Sequence, residues 1–267
     1  MKTKLFSLLI CLMSWVVSAE KLQLTNGEWP PFTGRQLPHM GGATHIVKLA
    51  FAKEGVDVKF AFLPWQSAFD QVASGNADGS LVWSKSDDRA KLVLFSEPVI
   101  ESSEHFFHLE KNKFAWRDMG DLKGKKIGAV ETHYYGEAFD KLEKKRMANI
   151  RRTSTLRGSF KRLLRGHVDV VIANRYVAFY TLNAFFTGVE IAKVTFHPKM
   201  IRGRAKWRLV ISRKHPDGER LIKTFNRGLK KLKSDGTYEQ IIKDVTSGRK
   251  YLPEMKRFEG DDESEEF

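Results

Sequence analysis

Short apolar runs alternate along this chain with segments whose apolar residues recur at helical spacing. KLQLTN (21–26) alternates with period two and ends at an Asn-Gly turn, which predicts a strand. THIVKLAFAKEG (44–55) predicts a helix stopped by Gly55, and VDVKFAFL (56–63) a second strand. PWQSAFDQVASG (64–75) opens with Pro64 at a helix start and closes on Gly75. ADGSLVW predicts a third strand, ending at Trp83. A polar turn carrying Arg89 follows, and then a further apolar run from Leu92 to Phe95.

The middle of the chain repeats this order. KKIGAV (125–130), NIRRT (149–153) and VDVVIAN (168–174) predict strands, separated by predicted helices at 135–146 and 154–166, the latter with a Ser cap. A helix at 175–186, a strand at 207–214 and two helices at 217–234 and 237–246, split at SDGTY, complete the pattern. Strand and helix in alternation imply α/β architecture with parallel strands joined by crossover helices. Two such units stand in series. They form either two independent domains or one domain split by an insertion, and the lack of a Pro/Gly/Ser-rich linker favours the split.

The ends of the chain read differently. Residues 1–19 have a basic start (Lys2, Lys4), an apolar stretch from Leu5 to Val17 and a small-residue exit at Val17-Ser18-Ala19. That layout predicts a secretory signal cleaved after Ala19, since the stretch is shorter than the ~20 residues that span a bilayer. The only cysteine, Cys11, lies within it, so the mature chain is expected to have no disulfide or Cys-ligated metal. FEGDDESEEF at the C-terminus is acidic, almost without apolar content, and predicts a disordered tail over 256–267.

Charge separates the two units further. The chain carries a net +14. Residues 105–205 hold 21 Lys+Arg against 9 Asp+Glu, so the basicity belongs to the second unit. Without a recognition motif in an exported chain, nucleic acid is not an expected partner; a solvated helix surface, anionic headgroups or an acidic partner remain open. Catalytic signatures are also missing: no G-x-S-x-G, Walker loop or H-E-x-x-H occurs, and His105 and His108 fall on opposite faces of a strand. Neither a metal nor a cofactor is expected.

Binding chemistry has better candidates. Arg89 follows a strand end, the edge where open α/β sheets take ligands, and a planar guanidinium there can hold a carboxylate through two parallel bonds. Pairing of Arg89 with Asp87 or Asp88 at the surface is the alternative. Trp29, Trp65 and Trp83 fall on the same predicted edge, where indole walls suit a flat, amphipathic or cationic ligand.

These residues bring out a resemblance. EWPPFTG, LPWQSAFDQVASGNADGSLVWSKSDDRAKLVLFSEP, DLKGKKIGAV, LLRGHVDVVIANRYVAFY and FNRGLKKLKSDGTYEQIIKDV together resemble the periplasmic solute-binding proteins of the polar amino-acid type, family 3 of the ABC-importer binding proteins. The resemblance implies a type II periplasmic-binding-protein fold. Each of its two lobes is a mixed, mostly parallel sheet flanked by helices, and two crossing strands join them. Lobe 1 would be 20–104 with 206–255, and lobe 2 would be 105–205.

It further implies a monomeric, non-enzymatic periplasmic protein that delivers a small carboxylate-bearing ligand to an ABC permease or a membrane sensor. Arg89 matches the arginine that holds a ligand carboxylate in relatives; Trp29, Trp65, Trp83 and Ser84 match ligand-side positions. In lobe 2, relatives that bind amino acids carry an acid where this chain has Asn174. A small Gly-Ser/Thr turn is replaced by a segment containing His133 and Tyr134, expected at a helix N-terminus suited to anions. Both departures point from an ordinary α-amino acid toward an amino-acid derivative or short peptide. A cyclohexadienyl-dehydratase-like enzyme, with Glu28 and Glu131 as its only placeable carboxylates, and a basic surface-binding protein are the alternatives.

Overall fold

A computed structural model describes residues 21–131 and 133–252. The expected leader, Cys11, Thr132 and the acidic tail lie outside the described residues.

The chain opens with β1 (Lys21–Asn26), α1 (Gly42–Ala52), β2 (Asp57–Phe62), α2 (Trp65–Ser74) and β3 (Gly79–Trp83). A short helix, α3 (Asp87–Leu92), and a long strand, β4 (Val93–Ser102), follow. Next come β5 (Glu104–Leu109), β6 (Lys126–Val130), α4 (Glu137–Lys144), β7 (Asn149–Thr153), α5 (Leu156–Leu164) and β8 (Val170–Asn174). Then α6 (Arg175–Phe185), α7 (Gly188–Ile191) and β9 (Val194–Phe196) lead to β10 (Ala205–Ser212), α8 (Gly218–Ser234) and α9 (Thr237–Ser247).

Two five-stranded sheets result, in the orders β2-β1-β3-β10-β4 and β7-β6-β8-β5-β9. β1 runs parallel to β2 and β3, while β10 pairs antiparallel with both β3 and β4. In the second sheet β6 runs parallel to β7 and β8, and β5 pairs antiparallel with β8 and β9. The chain passes from one sheet to the other at Ser103 and returns through 197–204.

Helices cover both faces of each sheet because the strands present apolar residues on both. In the first, Leu22, Leu24, Ile46, Phe51, Phe225 and Leu229 form the larger core. In the second, Phe106, Ile127 and Phe139 pack on one face and Phe107, Phe160 and Leu182 on the other. The sheets meet through α6: Tyr176 lies edge-on to Phe32 at 5.5 Å, and Asn183 Nδ2 donates to the Ser247 carbonyl at 3.4 Å. A Cβ on Gly248, which caps α9 at φ 65°, would come within 2.7 Å of the Phe179 backbone, so the contact between α6 and α9 requires glycine there.

Candidate functional site

The C-terminal end of β3 is where the sequence chemistry converges. β3 pairs Trp83 with Arg208 and Ser80 with Val210, so β3 carries one residue more than β10 across this interval. The extra residue bulges at Val82, whose φ of 55° lies in the left-handed region that a β-branched side chain disfavours. Burial of Val82 holds this strained turn in place. Beyond it, Trp83 packs at 9% exposure, and its indole N–H donates to Ser80 Oγ at 2.8 Å.

Arg89 sits above this floor. Ser86 caps α3 by accepting from the Arg89 N–H at 3.3 Å, which starts the helix and sets the direction of the side chain. Arg89 Nη1 donates to Ser84 Oγ at 2.7 Å and to the Ser84 carbonyl at 3.0 Å. Its guanidinium lies 5.1 Å from the Trp83 ring centroid and 5.8 Å from Phe69. Neither Asp87 nor Asp88 pairs with it: Asp88 bonds Lys91 at 2.9 Å, and among the described residues Arg89 has no carboxylate partner. A half-buried cation held by a serine and two rings, with its remaining donors unclaimed, is suited to a planar anion.

Trp65 borders the same place. Its indole lies on Gly27, where any Cβ would overlap the ring, and meets Trp83 edge-on at 5.6 Å. Trp29 belongs to a neighbouring group, 4.6 Å from Phe32 and 4.8 Å from Trp207, whose Nε1–H donates to Ser102 Oγ at 2.8 Å. The structure therefore brings Trp65, Trp83, Ser84 and Arg89 together. It sets Trp29 with the aromatic residues that reach Tyr176 of the second sheet.

On that second sheet two residues of the carboxyl edge, Asn174 and Glu104, are already engaged. Asn174 Oδ1 caps α6, accepting from the N–H groups of Tyr176 at 3.1 Å and Val177 at 3.4 Å. Glu104 stands directly across the ladder from Asn174 and is 9% exposed. Its carboxylate is held by Arg202 through two bonds, Nε to Oε2 at 2.9 Å and Nη2 to Oε1 at 3.2 Å. That pairing raises the Arg202 pKa above its ordinary value.

His133 and Tyr134 are exposed on a loop, with Arg202 6.0 Å from the Tyr134 ring. The helix N-terminus expected at this segment does not form there. Instead Tyr135 folds back to accept the Val130 N–H at 3.0 Å, and burial pushes its hydroxyl up to about 12. α4 starts only at Glu137, and Glu137 and Asp140 in its first turn place negative charge where an anion would sit.

Phe69, Trp207, Tyr176 and the Glu104–Arg202 pair were not among the residues singled out from sequence. Phe69 follows Trp65 by one helical turn, a readable signal. Glu104 needs the antiparallel register with Asn174 to be found.

The sequence profile of the bacterial extracellular solute-binding proteins, family 3, matches residues 24–246. The chain belongs to this family. A probable histidine-binding protein of Campylobacter jejuni is 24% identical over 221 residues, covering 82% of both chains. Among solved structures, the second substrate-binding domain of a putative amino acid ABC transporter from Streptococcus pneumoniae superposes with a TM-score of 0.68 at 20% identity, covering 87% of this chain and 99% of that one. Substrate-binding domain 2 of Lactococcus lactis GlnP, in an open conformation, gives 0.66 at 22% identity over 88% and 96%. The two-sheet α/β architecture of this chain is thus the type II binding-protein fold.

Proposed function

We propose that this family member captures a small carboxylate-bearing solute, an amino acid, amino-acid derivative or short peptide, between its two lobes. It works as a periplasmic monomer, released from its leader after Ala19, and hands the solute to an ABC permease or a membrane sensor. The proposed lobes are 20–104 with 206–255 and 105–205; the separation into two sheets supports a division of this kind, although Glu104 pairs in the second sheet and Ala205 in the first. The reading rests on Arg89, a guanidinium with free donors fixed over Trp83 by Ser84 at 2.7 Å. Likeness to a probable histidine-binding protein of Campylobacter jejuni and to a domain of a putative amino acid ABC transporter of Streptococcus pneumoniae supports a solute of amino-acid type.

The second sheet narrows the solute. An α-ammonium leaving water loses several kcal/mol of hydration unless a carboxylate meets it. Asn174 is spent on its helix and Glu104 on Arg202, so neither gives an ammonium a free carboxylate, and Glu131, just past β6, is exposed to water. Solutes whose amine is acylated, joined in a peptide or absent fit this edge better than a free α-amino acid.

Native mass spectrometry of freshly purified protein, followed by calorimetry with the co-purified solute and its amide, tests the proposal. The expected solute is acidic, and amidation weakens it by about 100-fold, the cost of leaving a desolvated guanidinium unpaired. A solute without an acid group, or an amide that binds as tightly, overturns it.

A further inference from the structure

The positive charge of residues 105–205 has a definite place. β6, β7 and β8 run parallel, and α4 and α5 return each time from their C-terminal ends to the start of the next strand. Strand starts and helix ends therefore gather at one pole of the second sheet, opposite the edge that carries Asn174. Backbone bonds sew this pole together: Gly124 N–H to the Met147 carbonyl, Asn149 N–H to that of Lys125, and Asp169 N–H to that of Lys126, each 2.8 Å. The exposed cations there are Lys123, Lys125, Lys144, Lys145, Arg146 and Arg162. β5 ends at the same pole and is followed by Lys111 and Lys113.

The two ends of this sheet treat their cations differently. Toward the Asn174 edge, Arg202 is tied to Glu104 and Arg152 to Glu143 at 2.7 Å. At the pole, none of the six cations has an ion pair among the described residues. The acids nearby are few: the Asp169 carboxylate accepts the Lys126 N–H at 2.8 Å, Asp121 accepts the Arg117 N–H at 2.6 Å, Asp118 accepts the Gly120 N–H at 2.8 Å, and Glu110 is exposed. Attraction to helix C-termini accounts for Lys144 and Arg162, which lie in last turns. Lys145 and Arg146 directly follow α4 and Lys123 caps the short 3-10 helix Met119–Leu122, while Lys125 lies in a turn, beyond that explanation.

We propose that this pole docks the protein onto an anionic lipid bilayer, with the Arg89 edge left open to solution. Charge matching favours lipid over a protein of fixed shape. The cations are mostly lysines, point charges on flexible stems spread over helix ends and turns, and mobile headgroup phosphates can gather beneath them. An apolar contact adjoins them. Val189 on α7, 71% exposed, lies four residues before Lys193, whose carbonyl accepts the Glu110 N–H at this end.

Flotation with vesicles tests this, using the full chain, phosphatidylcholine alone or mixed with phosphatidylglycerol, at low and physiological salt. One triple variant carries Lys125→Glu, Lys144→Glu and Lys145→Glu. A control carries Lys59→Glu, Lys223→Glu and Lys230→Glu, exposed lysines of the first lobe. Thermal melting checks that both variants fold. Native protein is expected to bind only the phosphatidylglycerol vesicles and to release as salt rises. The pole variant should lose at least about tenfold in partitioning while the control stays within about twofold. Binding that ignores phosphatidylglycerol, or equal losses in the two variants, overturns the proposal. So does a native protein that ignores vesicles but is retarded by immobilised polyglutamate through the same lysines, which would mean an acidic protein partner.

Discussion

Asn174 shows how one side chain limits what a site can hold. Because its Oδ1 caps α6 through two backbone donors, Asn174→Ala should lower stability by about 1 kcal/mol in chemical denaturation. Asn174→Asp, which keeps the acceptor, should stay within a few tenths; equal losses would show that the cap contributes nothing. Beside it, Glu104 depends on Arg202. Arg202→Met leaves a nearly buried carboxylate alone and should cost about 2–3 kcal/mol, most of it recovered by adding Glu104→Gln. Arg89 could be picked from sequence because a strand end and an aromatic segment flank it. Glu104 could not, since its meaning comes from a partner 70 positions away in the ladder, Asn174.

A third residue carries a pH dependence. His45 stacks on His39 at 3.9 Å, its Nδ1 lies 3.0 Å from the Tyr251 hydroxyl, and burial, then the charges of His39, Lys250 and Lys48, lower its pKa to about 4, against a smaller opposing pull from Asp244. Between the unfolded value near 6.5 and about 4, the unfolded chain binds a proton that the folded chain refuses. Stability from His45 is therefore complete above 6.5 and falls as the solution is acidified. Melting temperatures from pH 7 to 5 should decline less steeply in His45→Gln than in the native protein, and identical slopes would contradict the assignment.

At the scale of elements, helices declared themselves wherever two turns or more gave a period to read. The pattern at 217–234 and 237–246 lies within a residue of α8 and α9. α3 escaped because six residues give barely one repeat, and the segment read as a turn. The cap of α5 is Thr155, which accepts the Gly158 N–H at 3.1 Å, rather than the adjacent Ser154; two hydroxyls side by side leave a sequence no means of choosing.

Packing between elements gives a sharper test. α8 lies against α1 at Gly228, where a Cβ would overlap the Ala50 carbonyl, a backbone atom that cannot turn aside. Gly228→Ala should separate the helices and cost about 3 kcal/mol or more, read as a fall in the denaturation midpoint. A variant as stable as the native protein would mean that the helices are not in such close contact.

For the molecule as a whole, the α/β class was legible in the alternation of periods, and the family in motifs spread across the chain. The arrangement of charge was legible only as a total. Concentration at one pole follows from parallel strands sending every strand start to the same end, which composition does not contain. The way α6 bridges the two sheets is likewise absent from local pattern, since it depends on Gly248 admitting Phe179.

The central claim is that Arg89, held over Trp83 with no acidic partner among the described residues, anchors the solute by a carboxylate. Calorimetric titration of the co-purified solute into native protein, Arg89→Ala and Arg89→Lys tests it most directly. Loss of the guanidinium should weaken binding by at least about 100-fold, with lysine restoring little because it lacks the planar fork. Affinity within about threefold of native in the alanine variant, where losses of tenfold correspond to ~1.4 kcal/mol, would contradict the account.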